Sequence, residues 1–151
     1  MRLDYSMEVA CPPEKLWPYL DQPDLQKQWM KGLEEIKVTS EGPKRAGSKF
    51  RMRIKEGGKT AEHEGQVTAY ERNRHLGIRF WGGSFQEGMV MNVDYRLADL
   101  NGRTRLDYWC KLDFPPQGFL MRLFMPVGVF FARMQLRGFM KKLKSLVESS
   151  V

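Results

Sequence analysis

Residues 3–36, LDYSMEVACPPEKLWPYLDQPDLQKQWMKGLEEI, decide how this chain is read. Leu3, Tyr5, Met7 and Val9 alternate with Asp4, Ser6 and Glu8, the period of a strand that buries one face. Cys11-Pro12-Pro13-Glu14 stops it, because proline removes a ladder donor and fixes φ at a value suited to a helix start. Leu16, Trp17, Tyr19 and Leu20 form a first short helix, and Asp21-Gln22-Pro23-Asp24 is a turn and a second start. Leu25, Trp29 and Met30 follow, with Gly32 as the stop. Ile36 and Val38 then mark a second strand, closed by Glu41-Gly42-Pro43.

Beyond this entry segment the pattern is strand after strand. Phe50, Met52 and Ile54 alternate with Lys49, Arg51, Arg53 and Lys55, and Glu56-Gly57-Gly58-Lys59 is a hairpin turn. The returning strand carries Ala61, His63, Gly65, Val67 and Ala69 on one side. This hairpin sets Arg53 opposite Glu62, Arg51 opposite Glu64 and His63 opposite Met52. The basic row is therefore read as cross-strand ion pairs, each worth a few tenths to ~1 kcal/mol, in preference to a phosphate-contacting ladder. No nucleic-acid partner is expected, despite a net charge of +7.

Leu76, Ile78 and Phe80 form the next strand, turned by Gly82-Gly83-Ser84. Phe85, Met89, Met91, Val93, Tyr95 and Leu97 line one face of the strand after it, and Asp99-Leu100-Asn101-Gly102 is a hairpin with φ > 0 at Asn-Gly. Thr104, Leu106, Tyr108, Cys110, Leu112 and Phe114 share a face on the last strand. The expected facing pairs are Val67 with Ile78, Met89 with Leu76, and Val93 with Tyr108. Glu87 falls on the inward parity near Val67 and Ile78 or at the open rim, His75 outward and solvated, and Trp81 and Trp109 outward, on a contact surface or a partly covered rim. The result is an antiparallel meander with one wet and one dry face.

Pro115-Pro116-Gln117-Gly118 ends the sheet and opens a helical region. Arg133, Arg137, Lys141, Lys144 and Glu148 make one stripe, and Leu136, Met140, Leu143 and Val147 the opposite one. Upstream, Phe124, Val127, Val129, Phe130 and Phe131 are apolar all round. That run is open to three readings: cavity lining, dimer contact or membrane edge. Pro126 predicts a kink or break, with the long helix beginning after it.

A chain of 151 residues with 42% apolar content is most simply one domain, able to bury about 70% of its unfolded surface. Cys11 and Cys110 give neither a disulfide framework nor metal spacing, and read as small buried thiols in a reducing compartment. The first twenty residues lack an apolar signal core, and Arg122, Pro126, Gly128 and Arg133 interrupt the apolar window from Phe119 to Leu136. The sequence reads as cytoplasmic, with no metal and no cofactor expected.

The order strand, Pro-Pro-Glu, Trp helix, Asp-x-Pro-Asp, Leu-x-x-x-Trp, Gly-Leu, strand resembles the START-like superfamily. Its members include the polyketide cyclase/dehydrase and lipid-transport families, the coenzyme-Q-binding proteins and the Hsp90-activator-like proteins. Further support comes from Gly47-x-x-Phe50, Gly65-x-Val67-x-x-Tyr70, Tyr95-x-Leu97 with Gly102-x-Thr104-x-Leu106, and the ending at Leu143-Lys144. The resemblance covers residues 1–151 and implies a single α+β helix-grip domain, a curved antiparallel sheet wrapped around a long C-terminal helix, with an apolar tunnel between them.

On that reading the chain binds or transports a hydrophobic small molecule (a lipid, isoprenoid or polyketide-like ring). The expected ligand-binding residues on the sheet are Phe50, Met52, His63, Met89, Met91, Val93, Tyr95, Tyr108 and Cys110, joined by Val127, Phe130, Phe131 and Met134 on the helix. Methionine suits an irregular, adaptable wall, although each one is also an ordinary core residue. An alternative is a cyclase/dehydrase-type enzyme in which His63 and Tyr108 polarise a carbonyl, with no recognisable catalytic motif. For His63 itself, a buried histidine held by one hydrogen bond is the preferred reading. A second alternative is a protein-interaction module like the Hsp90-activator relatives, using Trp81 and Trp109. Peripheral membrane contact and a homodimer are both open.

Overall fold

The computed structural model describes residues 1–115 and 118–150, apart from the Met121 side chain. Strand Arg2–Val9 (β1) leads into helices Pro13–Asp21 (α1) and Pro23–Gln26 (α2). Strands Leu33–Val38 (β2), Lys49–Glu56 (β3), Lys59–Glu71 (β4), His75–Gly82 (β5), Val90–Asp99 (β6) and Thr104–Asp113 (β7) follow, then helix Phe119–Ser149 (α3). The strands form one antiparallel sheet in the order β1-β7-β6-β5-β4-β3-β2. This is the helix-grip architecture expected from the sequence. The expected sheet terminator lies partly outside the described residues, at Pro116 and Gln117.

Alternation explains the sheet's two faces. On the inner face Leu3, Phe50, Met52, Val67, Leu76 and Leu106 are buried, and α3 covers them with Leu136, Met140, Leu143 and Val147. Fully burying such a side chain contributes roughly 1.5–3 kcal/mol. The entry segment is fixed by hydrogen bonds: Thr104 Oγ1 donates to the Cys11 carbonyl at 2.7 Å, and Trp29 Nε1 to that of Tyr19 at 2.8 Å. Asp21 ends α1 as a hub, taking Lys44 Nζ at 2.8 Å and the Tyr70 hydroxyl at 2.9 Å. The Ala10 amide donates to Glu148 at 2.8 Å, tying the far end of α3 to the start of α1.

Three expectations of register are corrected. Asn101 and Gly102 do take positive φ, but they close Leu100 onto Arg103, so Val93 faces Cys110 and Tyr95 faces Tyr108. The β5–β6 connection runs to Met89, so Leu76 faces Tyr95 rather than Met89. Glu87 lies exposed in that connection, away from Val67. A bulge between Val67 and Ala69 turns Tyr70, not Ala69, toward α1, where its ring meets Trp17 edge-on at 5.7 Å.

The outer face differs in detail. Arg53 does face Glu62, yet its guanidinium reaches across to Glu34 at 3.1 Å and Glu35 at 3.2 Å. His75 is half-buried rather than solvated, its Nε2 lying 2.6 Å from Asp94, which also takes Arg96 at 2.9 Å. Trp81 and Trp109 point outward but are half-buried, Trp109 beneath the Arg2 guanidinium at 4.8 Å. Pro126 neither breaks nor delays α3, which is helical from Phe119. Proline there forgoes the bond to the Arg122 carbonyl and crowds that carbonyl with its ring, a cost the helix on either side absorbs.

Candidate ligand cavity

Between the inner face of the sheet and α3 lies an apolar chamber of about 140 Å³. Its sheet wall comes from Ile36, Met52, Ile54, Ile78, Phe80 and Met91, with Val93, Tyr95 and Tyr108 beyond them. Leu136, Phe139 and Met140 roof it, and Gln26, Trp29 and Met30 close the side next to α2. Met30, Ile54 and Phe139 also line an open groove of about 650 Å³ between α3 and the β3–β4 turn, which reaches Gly57, Gly58 and Gln135. The groove thus adjoins the chamber, with these three side chains between them. At the opposite end a cleft of about 30 Å³ is lined by Phe50, Val67 and Leu76 together with Tyr95.

The polar equipment is sparse. Tyr95 and Tyr108 meet edge-on at 5.1 Å between ring centres, and burial drives both phenol pKa values well above the ordinary value near 10. Both hydroxyls therefore stay protonated in the physiological range and neither is a base; the Tyr108 hydroxyl bonds the Cys110 sulfur, a weak acceptor that a ligand oxygen would displace. Burial also raises the Cys110 thiol, which removes it as a nucleophile near neutral pH. The remaining polar group on the wall is the Gln26 amide.

His63 sits one layer behind this wall. It is 1% exposed, packed edge-on against Phe80 at 5.6 Å and Phe85 at 4.8 Å. Gly83, at φ +58°, lies over it so closely that a Cβ there would come within 3 Å of the imidazole. Burial lowers its pKa below 6.5, and the opposing pulls of Glu56 and the Trp81 carbonyl are smaller. Its Nδ1 has no partner among the described residues, and the ring lies beside Met52 and Phe80 without itself lining the chamber.

Of the residues singled out from sequence, Met52, Met91, Val93, Tyr95 and Tyr108 line the chamber and Phe50 its inner cleft. Cys110 is buried behind them. Met89 lies in the β5–β6 connection, its sulfur accepting the Gln86 amide at 3.3 Å. Val127, Phe130, Phe131 and Met134 are 54–63% exposed and face away from the sheet, contrary to their expected place on the cavity wall. Their all-round apolar run carries no moment to orient it, whereas the row through Leu136 and Met140 was already in register with the inward stripe. Ile36, Ile54, Ile78 and Phe80 were sorted onto inner faces by alternation, but nothing in their type distinguishes wall from core.

A family profile described as polyketide cyclase/dehydrase and lipid transport matches residues 1–148. The chain belongs to this family. No curated protein matches the sequence. Among solved structures, the fold is shared with a protein of Thermus thermophilus at TM-score 0.75 and 12% identity, covering 99% of both chains. It is shared with the Zhui aromatase/cyclase of Streptomyces sp. R1128 at TM-score 0.74 and 12% identity, covering 98% of this chain and 93% of that one. A START superfamily protein of Mycobacterium smegmatis superposes at TM-score 0.73 with 16% identity over 99% of both. Among the described residues no helix is long and apolar enough to cross a membrane, and no cluster of three or more His, Cys, Asp or Glu side chains could hold a metal ion.

Proposed function

We propose that this chain binds and carries a hydrophobic small molecule with at least one hydrogen-bond-accepting oxygen, of the lipid, isoprenoid or polyketide-like class. The observation that carries the reading is the chamber beneath α3, apolar but for two protonated phenols and one amide, and adjoining an open groove across Met30, Ile54 and Phe139. A dry space near 140 Å³ holds about one small ring, as apolar cavities of roughly 150 Å³ do. Chamber and groove together reach the roughly 300–1,000 Å³ typical of ligand sites, so a ring or chain end enters while the remainder lies along the groove.

Trp29 stands in the chamber wall, which makes its fluorescence a direct reporter. Titration with fatty acids, sterols and quinones should change the emission of the wild-type protein but not of Trp29→Phe, while native mass spectrometry records uptake by both. Absence of uptake across all three classes refutes the reading.

A cyclase-type activity is favoured by the adjoining phenols Tyr95 and Tyr108 on the chamber wall and by the shared fold with the Streptomyces aromatase/cyclase. In that scheme Tyr108 polarises a carbonyl of a folded poly-β-keto chain, and His63, which does not line the chamber, takes no part. Turnover of such a chain by His63→Ala but not Tyr108→Phe would support it.

A further inference from the structure

The exposed half of α3 has no place in ligand binding and is built for contact of its own. From Phe119 to Met134 eight large apolar side chains are exposed, from 54% at Val127 and Met134 to 78% at Phe119. At 3.6 residues per turn they fall on one stripe roughly 140° wide, directly opposite the row Leu136, Met140 and Leu143 that covers the sheet. An apolar stripe of this length is unusual on a free surface.

The charge on the same helix decides its partner. Arg122, Arg133, Arg137, Lys141, Lys142 and Lys144 stand against a single acid, Glu148. None of the six cations has a carboxylate within 4 Å among the described residues. Arg133 flanks one edge of the stripe, and Arg137 and Lys141 continue its line beyond Met134. Two copies joined through this stripe would leave both cationic rows without an acid of a second α3 to meet them, since Glu148 is the only acid on that helix. An anionic lipid surface meets both features, taking phenylalanine and leucine into its interface and phosphates onto the cations. The helix is not apolar enough to span a bilayer, which leaves a surface position as its one mode of membrane contact.

We infer that residues Phe119–Met134 of α3 dock flat on an anionic membrane surface. Gln135 and Phe139, which line the groove, follow the stripe on the adjoining side of the helix, so docking sets the groove beside the lipid. The docking stands on the helix alone, and only its use in loading a ligand rests on the carrier reading.

The test is co-sedimentation of the full chain with phosphatidylcholine vesicles, with and without 30% phosphatidylglycerol, at low and high salt. Binding to the anionic vesicles should exceed that to the neutral ones by tenfold or more and weaken with salt. Leu123→Ser/Phe124→Ser and Arg133→Gln/Arg137→Gln should each lose about tenfold, with unchanged circular dichroism and unchanged quinone uptake from solution. Wild-type protein that stays in the supernatant overturns the inference, as does equal, salt-insensitive binding to both vesicles. A dimer in solution that Leu123→Ser/Phe124→Ser converts to monomer, without vesicle binding, assigns the stripe to a second copy instead. Vesicle binding without uptake of any ligand leaves the docking standing and removes the carrier function.

Discussion

Val93→Phe tests whether the space beneath α3 is real. Val93 is 7% exposed, on the inner face of β6, and lines the chamber. Keeping about 140 Å³ empty costs on the order of 3 kcal/mol at ~24 cal/mol per Å³. Phenylalanine adds four carbons at that wall, worth up to about 3 kcal/mol at ~0.8 kcal/mol each. Restricting the ring and strain in its rotamer offset about 1 kcal/mol of that. The expected outcome is a gain of about 1–2 kcal/mol, a rise of roughly 0.5–1 M in the urea midpoint. Ligand affinity should fall at least tenfold because the ring occupies the ligand's place. Leu106→Phe is the contrast: Leu106 is 0% exposed and not on the chamber wall, so overpacking there should cost about 1–3 kcal/mol. If both variants lose stability and Val93→Phe binds quinones as the wild type does, the chamber argument is wrong.

Three further outcomes follow from individual contacts. Gly65 faces Phe50 across β3–β4, and a Cβ there would lie closer than 3 Å to three of its ring carbons; Gly65→Ala should cost about 1–3 kcal/mol, and Phe50→Leu in the same chain should recover part of it in a urea-melt cycle, strict additivity being the refuting result. His63 is held neutral with its pKa below 6.5, so as pH falls below about 6.5 the unfolded chain takes a proton that the folded one refuses. Thermal melts from pH 7 to pH 5 should therefore lose stability more steeply in the wild type than in His63→Leu, and equal slopes would refute the burial argument. Tyr108→Phe removes a permanent donor from the chamber and should weaken a quinone by about tenfold, near 1.4 kcal/mol, while leaving a pure hydrocarbon unchanged in a displacement titration.

Which residues face inward was legible because side-chain direction in a sheet has a period of two. The expected facing pairs missed by six residues at β5–β6, where Leu76 meets Tyr95 rather than Met89, and by two at β6–β7, where Val93 meets Cys110 rather than Tyr108. Both errors are even, so every side chain stayed on its own face. Alternation carries no such tolerance for a bulge, and at Val67–Ala69 it put Ala69 where Tyr70 belongs. The outer-face pairs were less legible, because Arg53 has the reach to choose Glu34 and Glu35 over the acid directly opposite. His63 was legible as buried, but its separation from the chamber depends on Phe80 and Phe85 closing around it, and Phe85 comes from a connection with no period to read.

The helix supplies the link between the chamber and the apolar stripe. Along the inward row of α3, Val147 and Leu143 are 0% exposed, Met140 1% and Leu136 7%. Ala132, Val129 and Met125, further toward the start, are only half-buried. The sheet therefore grips the helix at its C-terminal end, where Glu148 also holds the Ala10 amide, and releases it progressively toward Phe119. That gradient leaves room for the chamber beneath the middle of the helix, and the groove meets the helix at Gln135 and Phe139, where the grip begins to loosen. The less tightly held turns before them carry the exposed phenylalanines. An element held at one end and apolar on its free outer face can change its tilt without breaking the core, since the side chains that would move are already half in solvent. Contact made on the outer face would then bear directly on the width of the groove.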